Sequence, residues 1–431
     1  MHTLHIHVSE TAKSKVINPV LFILFVCLLF PGRLCAQATV IRAGYVFNSR
    51  TGKMLEKQMI LIREGKIRQI GRDIPYSPED KLIDMPDAWI LPGLMDCHVH
   101  LTVGFPYKKM SIEQMYTTES TALRALRGAY NAQVMLTNGF TTIKEIGNDG
   151  NYASADVIKA IRKGWIQGPT IFYAGKIISP YGGQTATNIE HEHLWDDEYL
   201  DANSPDEIRK AVRKNIYYGA NVIKLAADSY AYHYSLQEVQ AAVNEARSAG
   251  LKVTAHVMGG EAADNIILGG AAAVEHGVYL TDEQLRLMKS KGTFLVGTDL
   301  AVSNSLTYGV DTATALKYYH LNIDRLKRAY RIGTPMAFGS DIIIDIPGKN
   351  RAQSILEILQ TWKDAQIPNS YTLQCMTIYA AQLLGVEKER GVIEPGFFAD
   401  MIAVQQNPLD SIETLKRVSF VMKEGKVVRQ D

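Results

Sequence analysis

Six side chains spread over most of this chain are of types that can be gathered round metal ions: His98, His100, Lys224, His256, His276 and Asp341. They lie at the ends of short apolar runs, in GLMDCHVHL, ANVIKLAAD, LKVTAHV, AAAVEHG and PMAFGSD. Imidazole and carboxylate are donors that proteins use for divalent cations. Several strand ends delivering polar groups to one point is how a (β/α)8 barrel builds a site.

Taken singly, each residue has a plainer reading. Residues two apart in a strand share a side, so His98 and His100 point together while Val99 packs outward. The same spacing recurs in His5-Ile6-His7 and in His191-Glu192-His193, where nothing else supports a metal. What sets His98 and His100 apart is their place at a strand end after the turn Pro92-Gly93. A lone strand histidine is most often a satisfied core residue, but His256 and His276 close successive strands. An ammonium at Lys224 beside cations is costly. Carboxylation by carbon dioxide would make it a carbamate anion able to bridge two cations; a lysine reaching to solvent is the competing reading. Asp341 can bind a metal and take a proton from water, or it can cap a helix. The joint pattern favours the metal.

The elements between these residues alternate. Amphipathic stretches such as TESTALRALRGAYNAQVMLTNG, SPDEIRKAVRKNIYYG and SLQEVQAAVNEARSAG each lead into a short apolar run. Gly139 and Ser204-Pro205 mark a helix end and a helix start. Strands separated by helices mean a parallel sheet, and eight such runs predict a (β/α)8 TIM-type barrel. From Thr39 to Trp89, and again in ADMIAVQQ and VSFVMKEGKVVRQ, alternation and the turn Glu64-Gly65 predict short antiparallel strands. Neither end can bury a core alone, so a small β-sandwich formed from both chain termini is expected. The organisation expected is a signal peptide over 1–38, sandwich segments over 39–92 and 386–431, and the barrel over 93–385.

Val20–Phe30 is a continuous apolar run, preceded by Lys13 and Lys15 and followed by PGRLCAQAT. That order is a secretory signal, too short for a spanning helix of roughly 20 residues. Cleavage after Ala36 or Ala38 and a secreted or periplasmic product are expected; Gly32-Arg33-Leu34 fits a lipoprotein anchor at Cys35 badly. Cys97 and Cys375 then remain, too few for a disulfide framework; alternation turns Cys97 away from the histidines. A formal net charge of +1 without a long basic run argues against nucleic acid or an anionic membrane surface as partner. Tyr230, Tyr232 and His233, just past Lys224, are candidate substrate contacts, and Lys144, Arg162, Lys349 and Arg351 are candidate partners for a substrate carboxylate.

Together, LPGLMDCHVHL, GFTTIKEIG, GANVIKLAAD, KVTAHV, VEHGVYL, FGSD and IYAAQLLGVEKERGVIEPGFFADMIAV resemble the metal-dependent amidohydrolase superfamily. The branch is that of imidazolonepropionase-like proteins and binuclear Xaa-Pro dipeptidases, and the resemblance covers nearly everything after the signal. It implies that His98, His100 and Asp341 hold one metal, that His256 and His276 hold a second, and that N6-carboxylated Lys224 bridges the two. It further implies two divalent ions, zinc before manganese or cobalt, and hydroxide attack on a carbonyl with Asp341 as the catalytic proton acceptor. The substrate would be a small molecule or dipeptide, and a homo-oligomer is compatible. Where relatives often carry Gly-Gly-His, this chain has Gly182-Gly183-Gln184, which puts the substrate in doubt.

The leading expectation is an exported binuclear amidohydrolase acting on dipeptides or N-acyl amino acids. An imidazolonepropionase-like cyclic amidase, a deaminase, or a lactonase or esterase would share the barrel. A deaminase is disfavoured because Glu261 follows His256 by five residues and Lys224 is present. A barrel that has lost catalysis and serves as a binding protein should have lost some of the six ligands.

Overall fold

The two ends of the chain meet in one mixed sheet. This computed structural model describes residues 37–106, 112–184, 193–228 and 232–431. Residues 1–36 of the expected signal segment, Cys35 among them, the pair His191-Glu192, and Tyr230 lie outside them. Strands β1 (Thr39–Asn48), β2 (Lys53–Arg63), β3 (Lys66–Gly71) and β4 (Lys81–Pro92) come from the start of the chain. Glu64 and Gly65 turn β2 into β3 with φ of 53° and 74°, the left-handed pair a two-residue hairpin requires.

The sheet order is β18-β17-β16-β4-β1-β2-β3, with β16 (Met401–Val404), β17 (Phe420–Lys423) and β18 (Lys426–Gln430) from the other end. Its free edge curls back: Ile67 N donates to Phe397 O and Ala399 N to Gly65 O, each at 2.9 Å. The curl encloses Ile41, Ile60, Ile67, Ile90, Met401 and Phe420. A single sheet folded over its own core therefore stands where two stacked sheets were expected.

The middle of the chain is parallel. β5 (Leu94–Val99), β7 (Phe140–Glu145) and β8 (Thr170–Tyr173) form one sheet. β9 (Ile177–Ser179), β10 (Tyr199–Asp201), β11 (Ile223–Ala226), β12 (Val253–Val257), β13 (Ala273–His276) and β14 (Phe294–Val296) form another. The short β6 (Phe105–Pro106) and β15 (Ile344–Asp345) pair with each other above them.

Backbone bonds join the two parallel sheets on both sides. Asn221 N donates to Tyr173 O at 2.8 Å. On the other side, Leu295 N donates to Pro335 O and Cys97 N to Phe338 O, each at 2.8 Å. The segment 335–341 does this with one bridging residue, Met336, rather than as a regular strand. Two glycines explain part of that. Gly339 leaves no room for a side chain, since a Cβ there would meet Val296 Cγ1 at 2.3 Å and His98 Cβ at 2.9 Å. Gly93, at the start of β5, is filled in the same way by Thr141.

Helices Thr121–Thr137, Pro205–Tyr217, Leu236–Ser248, Asp282–Lys291 and Thr312–Ile332 connect the strands. Their starts are set by side-chain caps at Ser120, Ser204, Ser235, Thr281 and Asp311. Capping boxes pair Ser235 with Glu238 and Thr281 with Gln284. Cys97 is fully buried against Met95, Val296 and Ala337, on the face away from His98.

Candidate metal centre

Strand β5 points Asp96 and His98 to one side, and the chain continues that side at His100. Asp96 Oδ1 accepts from the backbone N–H groups of His98 and Ser340, each at 3.0 Å. Asp341 N donates to His98 O at 2.9 Å. These bonds bring the Asp341 carboxylate onto the β5 histidines: Oδ1 lies 3.2 Å from His100 Nε2 and 3.6 Å from His98 Nε2. The His276 ring sits 5.0 Å from that of His98, and His256 lies 4.4 Å from His276, centroid to centroid. Ligand atoms of His98, His276 and Asp341 gather within 4.8 Å of one another.

Two of these residues have backbones that a side chain rarely adopts. His276 has φ of 67° and Asp341 of 56°. Each costs about 1–3 kcal/mol, a strain that clusters at functional sites. The left-handed turn at His276 breaks the strand alternation, so Glu275 and His276 both reach the site although they are neighbours. The fully buried guanidinium of Arg325 donates to His276 O, to Gly297 O and to Asp299. The Tyr308 hydroxyl donates to Asp341 O at 3.0 Å.

Outer partners fix which nitrogen of each ring is occupied. His98 Nδ1 faces Glu275 Oε2 at 2.8 Å, His100 Nδ1 faces Gly147 O at 2.7 Å, and His276 Nδ1 faces Thr298 Oγ1 at 2.8 Å. That leaves Nε2 of His98 and His100 for the inside of the site, the arrangement of metal-binding histidines; His276 Nδ1 also lies 3.9 Å from Asp341 Oδ2. His256 differs: its Nε2 is 3.4 Å from Asp228 Oδ1. Glu275 is held from below by Lys144 Nζ at 2.6 Å and by the Thr254 hydroxyl. Burial works against the Glu275 carboxylate, but Lys144 and Lys224 outweigh it and lower its pKa.

Lys224 lies on β11 beside Thr254 of β12 and is 2 % exposed. Among the described residues no oxygen accepts a hydrogen bond from its Nζ. Burial pushes its pKa down to about 8, against the pull of Glu275. Burial also lowers His98, His256 and His276 well below ordinary histidine. Asp341 goes the other way: burial disfavours its charge, but His98, His100 and Lys224 outweigh this and hold it at about 2. Neutral imidazoles with one nitrogen already tied, an ionised carboxylate and a partnerless buried lysine fit divalent cations by donor chemistry.

The other candidates are placed differently. Lys144 is buried against Glu275 and cannot meet a substrate carboxylate. Arg351 is equally committed, donating to Ile342 O at 2.7 Å, Val103 O at 2.8 Å and Asp345 Oδ1 at 2.8 Å. Lys349 pairs with Glu357, and Arg162 is exposed at the end of helix Ala153–Arg162. Tyr232 donates to Glu238 Oε2 at 3.1 Å, and exposed His233 lies 3.9 Å from Glu261. Sequence reasoning gave no role to Glu275, Asp228 or Thr298. Glu275 had one signal, its place directly before His276 in VEHG.

Known proteins resemble this chain over most of its length. An ochratoxinase of Aspergillus niger is 28 % identical, over 91 % of this chain and 87 % of its own length. An imidazolonepropionase of Aliivibrio fischeri is 23 % identical, over 81 % and 86 %. The crystal structure of a Xaa-Pro dipeptidase with methionine in its active site superposes with a TM-score of 0.80 at 27 % identity, covering 91 % of this chain and 99 % of that one. The amidohydrolase family model matches residues 89–428. The chain belongs to the amidohydrolase family, which is generally metal-dependent, and hydrolases of carbon–nitrogen bonds are among its relatives.

Proposed function

We propose that this protein is an exported, binuclear metal-dependent amidohydrolase that cleaves an amide bond in dipeptides or N-acyl amino acids. The observation that carries the proposal is Lys224, a buried lysine without a hydrogen-bond partner among the described residues, in a site of four histidines and an aspartate. As an ammonium it would lie buried near Glu275 and Asp341 with no acceptor for its N–H groups; as an N6-carboxylate it would be a bridging anion. The parallel runs β5, β7, β8, β11, β12, β13, β14 and 335–338 are read as the eight members of a closed barrel, with the curled terminal sheet as its accessory domain.

In this reading His98, His100 and Asp341 hold one divalent ion and His256 and His276 the other, with carboxylated Lys224 between them. Zinc suits this donor set, and manganese or cobalt would also be accepted. When bound, the ions supply Lewis acidity and acidify water for attack on a carbonyl. Asp341 is ionised and about a quarter exposed, with a side-chain exposure of 27 %. It can therefore accept the proton of the attacking water and return it to the leaving nitrogen. The likeness to a Xaa-Pro dipeptidase and an ochratoxinase supports small amide substrates. Export rests on the segment 1–38. No helix among the described residues is long and apolar enough to cross a membrane.

The test is hydrolysis by the zinc-loaded mature protein across a library of dipeptides and N-acyl amino acids, with Asp341→Asn as control. Cleavage that disappears in the control is expected. No cleavage by a protein carrying two metals would overturn the amide assignment and direct the search to lactones, esters and cyclic amides.

A further inference from the structure

His256 is oriented differently from the other three histidines. In His98, His100 and His276 it is Nδ1 that meets an outer partner, at 2.8, 2.7 and 2.8 Å. In His256 it is Nε2 that faces a carboxylate, Asp228 Oδ1, at 3.4 Å. A neutral imidazole carries one N–H and one lone pair, and the group bonded to one nitrogen decides which nitrogen is left for a metal.

Asp228 is built to accept on both oxygens. Its Oδ2 accepts the backbone N–H of Met258 at 2.8 Å, which ties the end of β11 to the end of β12. Its Oδ1 is closed off from solvent and has no hydrogen bond among the described residues. A buried carboxylate oxygen without a donor is rare, and the donor facing it is His256 Nε2. The separation is long for a hydrogen bond. A substrate ammonium cannot reach an oxygen closed off from solvent.

We propose that Asp228 is a positioning residue: its Oδ1 accepts the Nε2–H of His256 and so fixes the ring, which, unlike His98 and His100, presents Nδ1 to the second metal. This rests on the binuclear reading above. The carboxylate cannot be replaced by its amide without loss. An asparagine can accept from Met258 or from His256, but its NH2 would then face the other N–H. Asp228→Asn should therefore behave like Asp228→Ala at one of the two contacts.

The experiment has two parts. Metal content and chelator competition are measured for the wild type, Asp228→Ala and Asp228→Asn, together with the thermal midpoint of each metal-free protein. Expected is a wild type with two ions per chain, and variants in which one ion alone is held about 10–100-fold more weakly, even where loss of the Met258 bond lowers the metal-free midpoint. Variants that keep wild-type affinity for both ions would overturn the proposal, as would equal weakening of both ions in step with a lower metal-free midpoint. A wild type that binds fewer than two ions would overturn the binuclear reading itself. In the second part, nitrogen NMR of histidine-labelled metal-free protein reads the His256 tautomer. Protonation at Nε2 that is lost in Asp228→Ala supports the proposal, and protonation at Nδ1 in the wild type overturns it.

Discussion

Glu275 Oε2 lies 2.8 Å from His98 Nδ1, while Lys144 holds the other oxygen of the same carboxylate at 2.6 Å. Glu275 thus orients a site histidine at its upper end and neutralises a buried ammonium at its lower end. Removing one partner of such a buried pair costs about 3–5 kcal/mol, because the other charge is left uncompensated. Lys144→Met should lower unfolding free energy by about 3 kcal/mol in a denaturant titration. A change within error would show that Thr254 and Lys224 suffice for Glu275. Glu275→Gln should weaken metal binding about 10–100-fold by chelator competition.

Lys224→Ala should lose both bound metal and activity, and a short carboxylic acid such as propionate should partly restore them by occupying the bridging position. Full metal content with normal turnover would remove Lys224 from the site. The wild type supplies a second check. Carbon dioxide reacts with the neutral amine, and burial sets the Lys224 pKa at about 8. Metal uptake by the metal-free protein in bicarbonate should therefore rise as pH rises through that value.

Asp341→Asn keeps an oxygen ligand but not the base. Turnover should fall on the order of 10²–10⁴-fold with part of the metal retained, read as kcat beside metal content. Unchanged turnover would exclude Asp341 as proton acceptor.

Burial holds His98, His256 and His276 below their unfolded value, which is about 6.5, whereas Asp341 outweighs burial at His100 and raises it. In metal-free protein at about pH 6, nitrogen NMR of labelled histidines should therefore read neutral rings for the first three and a protonated ring for His100. Protonated signals from His98, His256 and His276 at that pH would show that they are not held neutral.

Much of the site was legible because local periodicity carries it. Alternation alone puts His98 and His100 on one side of β5 and Cys97 on the other, and the strand-helix rhythm sets Lys224 and His256 on strands, Lys224 second in β11 and His256 near the end of β12. Helix starts at Ser204-Pro205 and Ser235 follow from capping chemistry between residues three apart. These are short-range rules, and short-range rules act within a sequence window.

What the tertiary structure decided lies beyond such a window. Lys144 and Arg351 read as free cations until the fold supplies partners: Glu275 stands 131 residues from Lys144, and Val103 stands 248 from Arg351. The left-handed backbones of His276 and Asp341 defy strand alternation, and residues such as Arg325 and Tyr308, from other elements, hold them. The segment 335–341 has the composition of a strand but only one bridging residue, because Gly339 must pass against Val296 and His98. The sequence determined which donors this protein owns and the elements that carry them. Only packing decided which nitrogen of each ring is tied, since a buried polar atom takes whichever partner the fold places within reach.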